Sequence, residues 1–297
     1  MSQDLEKQKE SVDNTAKMTQ ALQTISAIKL SRARERFSQI RPYTDNMDEM
    51  MRDIAQTGSN HPYLAGREET RAIAVCAVTS DRGLAGAFNS QVLRLAEEFI
   101  QQQNAEIKPV ITGRKAVEFF KFRNIDVEAS FTGFSDNPSY EDAQNVGRRL
   151  TQLFEGEEVD EVHLFHNRFQ SALQQYPIHV RLLPVVPSGE EETGEEGEQE
   201  EGEEEESGGN PLEFVPGAED LLERLVPQYM EAMMFRALVE SAAGEHGSRM
   251  AAMQSATDAA NDMSEELEMQ INQQRQAAIT QEIVEIAAAM EALGMLG

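Results

Sequence analysis

The chain has 297 residues and a formal net charge of −27, from 53 Asp and Glu against 26 Lys and Arg. So acidic a balance argues against a nucleic-acid backbone or an anionic lipid surface as the main partner, while the length allows two structural units. A single cysteine, Cys76, excludes an internal disulfide and reads as a small buried hydrophobe.

From about residue 3 to 57, apolar residues at Leu5, Val12, Met18, Leu22, Ile25, Ile28, Phe37, Ile40, Met47, Met50 and Ile54 recur mostly at three or four. That spacing predicts one long helix with an apolar face. Pro42 should kink it near Arg41, and Thr57 to Pro62 reads as a stop and a loop. The pattern then changes. Residues 71–79 form a continuous apolar run, as in a strand buried on both faces. After the glycines Gly83 and Gly86, a helix is predicted over 89–102, a strand over 110–112, a helix over 113–122, a weaker strand over 127–131 and a helix over 140–154. Strands over 161–165 and 178–186 follow. Strands alternating with helices predict a compact, Rossmann-like α/β domain with a largely parallel sheet.

Pro187 to Asn210 is built from little but Glu, Gly and Ser, with twelve Glu between Glu190 and Glu206. Like charges repel, and nothing there can be buried, so a disordered surface insertion is expected. From Gly217 to the end, Met253, Ala256, Ala260, Met263, Leu267 and Ile271, then Ile279, Ile283, Ile286, Met290 and Leu293, keep helical spacing. This predicts a very long amphipathic helix. The methionines at 230, 233, 234, 250, 253 and 263 belong to its seam or core.

The organisation expected is therefore an N-terminal coiled-coil helix (1–60), a central α/β domain (68–187), an acidic insertion (188–210) and a C-terminal coiled-coil helix (217–297). The first helix ends at the domain and the last begins there, so the two must pair antiparallel. Counted from Thr57 and Gly217, position 25 lies opposite about position 249, within about one turn of Ala252, and the first helix runs out near Ile271. Residues 272–297 then carry an apolar stripe with no cover from the chain, which implies a sleeve supplied by another protein.

The segment Thr79 to Ser90 sits between a strand and a helix, where α/β proteins bind phosphate. It is neither G-x-G-x-x-G nor a Walker A loop, and it reads as a tight strand–helix connection. His163 and His166 are three apart on a strand and face opposite sides, so one metal cannot take both. His61, His179 and His246 stand alone. The chain offers no catalytic constellation, no metal set and no cofactor site, and no apolar run long enough to cross a membrane. Its first residues also lack the plan of a signal peptide.

Four motifs are nevertheless familiar. Ser11-Val-Asp-Asn-Thr-Ala-Lys-Met-Thr-Gln-Ala-Leu22, with Ile25 to Ala33 and Arg41-Pro-Tyr43, resembles the N-terminal helix of the gamma-subunit family of F-type ATP synthases. Ser80-Asp-Arg-Gly-Leu-Ala-Gly-Ala-Phe-Asn-Ser90 is similar to that family's central-domain motif, carried here by Ser80, Asp81, Arg82, Gly83, Gly86 and Asn89. Glu240 to His246, Arg249 to Met253, Ala256 to Asp258 and Arg275 to Ile283 resemble its C-terminal helix. The resemblance implies a non-catalytic rotary shaft. Its coiled coil would turn inside an alpha3-beta3 hexamer, and its α/β domain would stand on the c-ring beside the epsilon subunit. The machine would lie at the cytoplasmic face of a bacterial plasma membrane, without direct lipid insertion by this chain. Arg275, Gln276, Thr280 and Glu282 would meet the beta subunits. The chain departs from the family at Gln20, Gln23 and Thr24, where basic residues or methionine are common, at Ala289-Met290, in the acidic insertion, and at Gly244 and Gly247. Each of those glycines is expected to cost the helix up to about 1 kcal/mol.

Overall fold

The computed structural model describes residues 2–56, 61–67, 69–172, 174–185, 192–193 and 218–292. In chain order the elements are α1 (Ser2–Gln56), α2 (Pro62–Ala65), β1 (Ala72–Val78), α3 (Phe88–Gln102), β2 (Glu106–Thr112), α4 (Arg114–Phe122) and β3 (Ala129–Phe131). Then come α5 (Tyr140–Glu155), β4 (Glu161–Phe169), β5 (Gln175–Leu183), β6 (Glu192–Thr193) and α6 (Ala218–Ala292). They group into two compact units, residues 26–249 and residues 1–25 with 250–297.

In the larger unit the sheet order is β3-β2-β1-β4-β5-β6. β1 pairs parallel with β2 and β4, and β2 with β3, while β4–β5 and β5–β6 are antiparallel. All seven residues of β1 are buried, which is why its sequence is apolar without alternation. One face packs on α3 and α4 through Ile73, Val75, Val92, Ala96 and Phe165 and through Ala77, Ile111 and Phe120. The other packs on α5, on α1 from Met47 to Ala55 and on α6 from Leu222 to Leu238. Each fully buried Leu, Ile or Phe contributes about 1.5–3 kcal/mol. Asp160 ties the start of β1 down. Its carboxylate accepts the N–H groups of Arg71 (2.7 Å) and Ala72 (3.0 Å) and is paired with Arg67 at 2.8 Å. Burial alone would raise its pKa. The Arg67 bond and the two amides together outweigh that and hold it below the usual carboxylate range.

Element boundaries differ from expectation in ways with physical causes. β2 begins at Glu106 and runs through Pro109, which the sequence reading placed outside the strand. The Pro109 carbonyl accepts the Glu128 N–H at 2.9 Å, and β3 pairs only from Val110 onward, so the missing proline N–H falls ahead of the first pair of that ladder. β4 and β5 extend further into their hairpin, to Phe169 and from Gln175. The supposed loop before β1 contains α2, its first turn capped by the His61 side chain. α1 continues through Pro42, with the Thr44 hydroxyl donating to the Arg41 carbonyl at 3.0 Å. Of the acidic insertion only Glu192–Thr193 is described, and it is a strand rather than a disordered segment, paired with Val180 and His179. The rest of the insertion lies outside the described residues.

In the smaller unit α1 and α6 run antiparallel, as expected. Thr19 and Thr257 share a hydroxyl hydrogen bond of 2.7 Å, Gln23 bonds Gln254, Ser264 donates to Asp13, and Lys9 approaches Glu268 at 3.5 Å. Each step up α1 is a step down α6, so position 25 does fall opposite about 252. The seam itself is not the stripe the spacing suggested. Met18 and Ile25 are 58% and 49% exposed and Met263 is 51% exposed, while Ala16 and Thr19 on α1 and Met253, Thr257, Leu267 and Ile271 on α6 are buried. Small residues let the two backbones approach, and Ser264 takes the place expected of Met263.

Candidate functional site

The loop after β1 is built on its own side chains. Asn89, in the first turn of α3, accepts the Ser80 N–H at 2.8 Å and donates to the Ser80 hydroxyl at 2.8 Å; that hydroxyl donates to the Arg82 carbonyl at 2.6 Å. The Asp81 carboxylate accepts the N–H groups of Arg114, Gly133 and Ser135 at 3.1, 2.8 and 3.1 Å. Arg114 opens α4, so a carboxylate of the chain sits at the positive helix end that a phosphate would seek. Gly86 turns the chain in the left-handed region, at φ 53°. The motif is therefore a self-satisfied corner, in keeping with its reading as a tight connection.

α6 grips this corner. Arg249 donates to the Gly83 carbonyl at 3.2 Å and to Glu245 at 2.5 Å. Burial pushes the Glu245 carboxyl above its ordinary range, against the pull of Arg249. His246 donates from Nε2 to the Asp136 carbonyl at 3.1 Å, which assigns the proton to that nitrogen. Burial lowers its basicity below the ordinary imidazole value, against the Asp136 bond. The Asp136 carboxylate is paired in turn with Lys29 of α1. One turn earlier, the buried Glu240 accepts the Phe169 N–H at 2.9 Å and so holds the end of β4.

The two glycines departing from expectation belong to this contact. A Cβ on Gly244 would stand 3.0 Å from the Phe88 ring, and one on Gly247 would stand 2.9 Å from the Ala172 carbonyl oxygen. They are not merely weak helix formers: a larger residue would push α6 away from α3 and from the β4–β5 turn. The corner thus joins α1, α6 and three loops through charge-assisted bonds; the Glu245–Arg249 pair is buried, where such bonds are strongest, while Lys29 and Asp136 are 34% and 33% exposed. Its chemistry is that of a clamp.

Arg275, Gln276, Thr280 and Glu282 lie on the exposed last part of α6. The Thr280 hydroxyl donates to the Gln276 carbonyl at 2.9 Å. Neither Arg275 nor Glu282 has an ion-pair partner among the described residues. Every residue from 275 to 290 is exposed, including Ile279 (50%), Ile283 (61%) and Ile286 (61%).

Sequence reasoning did not pair Lys29 with Asp136 or Asp160 with Arg67. These contacts span 107 and 93 residues, and no local spacing signals them. It treated His163 and His179 as separate residues, yet their rings are hydrogen-bonded at 2.7 Å. His163 and His166 do face opposite sides: His166 lines a crevice of about 320 Å³ beside α1 and α6, in which Arg236 and Arg52 are paired with Asp45 and Asp48.

A family profile described as ATP synthase matches residues 1–293. The ATP synthase gamma chain of Rubrobacter xylanophilus is 52% identical over 291 residues, covering 98% of this chain and 97% of that one. That of Frankia casuarinae is 38% identical, with 95% and 94% covered. Among solved structures, a chain of the Euglena gracilis mitochondrial ATP synthase, described as OSCP/F1/c-ring, superposes with a TM-score of 0.67 at 16% identity, covering 99% of this chain and 95% of that one. A chain of the Tetrahymena thermophila enzyme, described as central stalk/c-ring, gives 0.60 at 21%, with 80% and 99% covered.

Proposed function

The chain belongs to the ATP synthase gamma-chain family, and from that premise we propose that it is the non-catalytic central shaft of a bacterial F1Fo complex. In this reading the α/β domain stands on the c-ring beside the epsilon subunit, at the cytoplasmic face of the plasma membrane. The end of the coiled coil turns inside the alpha3-beta3 hexamer. Proton flow turns the ring, the ring turns the shaft, and the shaft changes the affinity of the beta-subunit sites for ADP, phosphate and ATP. No described helix is long and apolar enough to cross a membrane, which fits a peripheral place.

The observation that carries the reading is the end of the seam. Ile271 is buried against α1, and beyond it Ile279, Ile283, Val284, Ile286 and Met290 are exposed on a helix that continues to Ala292. A stripe of that size calls for an apolar bearing. Arg275, Gln276, Thr280 and Glu282 begin where the seam stops. Arg275 offers a fixed fork of donors to a carboxylate, worth about 1.5–3 kcal/mol per charge-assisted bond. These four would grip one beta subunit and release it as the shaft turns.

The test is Arg275→Ala with Gln276→Ala in the reconstituted complex. Multisite ATP hydrolysis should fall at least about tenfold, the loss of one such bond. Assembly and helicity should be unchanged, and single-site hydrolysis should fall much less. A double variant that assembles and turns over like the parent would remove these residues from the torque path.

A further inference from the structure

On the α3 face of the sheet, at its β4–β5 side, lies a cluster of titratable groups that the shaft reading does not use. His163 is 2% exposed and His179 is 6% exposed. The Nδ1 of His163 and the Nε2 of His179 are 2.7 Å apart, and the Nε2 of His163 is 2.7 Å from the Glu161 carboxylate. Thr70 donates to the other oxygen of Glu161 at 2.9 Å. The His179 ring is stacked on Phe165 at 4.6 Å, and Phe99 of α3 covers both imidazoles at 4.7 Å. The charged groups facing the pair are Glu161 on β4 and Arg181 on β5. α3 contributes the Phe99 ring, and β1 contributes Ile73 and Val75, which pair with Glu161 and His163.

The geometry limits how many protons this row can hold. Glu161 accepts, so Nε2 of His163 carries a proton. With both rings neutral, Nδ1 of His163 must accept from Nε2 of His179. One added proton is tolerated: His179 takes it on Nδ1 and passes its Nε2 proton to Nδ1 of His163, which then donates at both ends, to Glu161 and to Nε2 of His179, and both of these bonds survive. A second proton puts two N–H groups face to face at 2.7 Å, both charged and both near Arg181. The bond is then lost and the rings must part. His179 is the ring that resists charge, because burial, then His163 and Arg181, hold its pKa down to about 4.

His179 sits where β5 pairs with β6, opposite Thr193, and β5 itself is held to the sheet through β4. We propose that Glu161, His163 and His179 form an acid-release latch on the β5 side of the sheet. It keeps its hydrogen bonds with one added proton, loses them with two, and then frees β5 together with the strand that begins the acidic segment. The inference does not depend on the shaft reading.

Hydrogen exchange of the full chain, followed from about pH 7 to about pH 4 in dilute solution and corrected for intrinsic rates, tests it. Protection of β5 should fall at least about tenfold more than that of β1. In His179→Phe, which keeps a ring against Phe165 and cannot titrate, the two strands should lose protection together. Parallel loss in the parent chain, or the same excess loss in the variant, would overturn the latch. Nitrogen-15 spectra of histidine in the unaltered chain give a second measurement that needs no variant. Both rings should be Nε2–H tautomers at neutral pH and titrate in two coupled steps. Two independent titrations at the ordinary imidazole value would overturn it as well.

Discussion

Two stretches of α6 share one helix and differ in almost everything else. From Leu222 to Arg249 most residues are buried, and the ionisable ones among them, Glu240, Glu245, His246 and Arg249, have partners, while the buried Ser241 hydroxyl has none among the described residues. From Arg275 to Met290 every residue is exposed, although isoleucine and valine recur there at helical spacing. Apolar periodicity alone does not say whether a helix face is covered by its own chain. In the first stretch the cover is intramolecular, and small residues and paired charges adapt it to particular neighbours. In the second, the described residues of the chain give the stripe no cover.

The sharpest way to break this comparison is to remove one charge from the clamp. Glu245→Leu leaves the guanidinium of Arg249, itself largely buried, without its carboxylate, and denaturant unfolding should show a loss of about 3 kcal/mol. A loss below about 0.5 kcal/mol would mean that the clamp behaves like a surface pair. Gly247→Ala comes next. An exposed helix interior would gain about 1 kcal/mol from this change. Here the new Cβ meets the Ala172 carbonyl, so a loss of about 1–3 kcal/mol is expected, and a gain would contradict the close approach.

The pH dependence gives a smaller effect. Burial lowers His246 below its ordinary 6.5, so the folded chain binds fewer protons there than the unfolded one. Its contribution to stability is therefore complete above that value and declines as pH falls through and below it. His246→Gln should flatten that part of the stability–pH profile, and an unchanged slope would exclude the residue as a source. The smallest effect is predicted for Ile279→Ser with Ile283→Ser. The stability of the isolated chain should change by less than about 0.5 kcal/mol, while assembly with alpha and beta subunits should weaken. A large loss in the isolated chain would show that the stripe is covered by the chain after all.

The amino-acid sequence by itself determined the two long helices, the alternating strands and helices between them, the antiparallel pairing and its end near Ile271. Those features follow from local periodicity and chain geometry, which are written in consecutive residues. It misplaced the seam at Met18, Ile25 and Met263, because a helix with apolar residues on two flanks does not declare which flank meets a small-residue partner. Only the tertiary structure decided that Gly244 and Gly247 are sites of close approach, that Asp81 fills its own helix end, and that His163, His179 and Glu161 form one row. Each of these depends on groups far apart in the chain brought within about 3 Å. At that distance hydrogen bonding and steric exclusion outweigh the local preferences that a sequence displays.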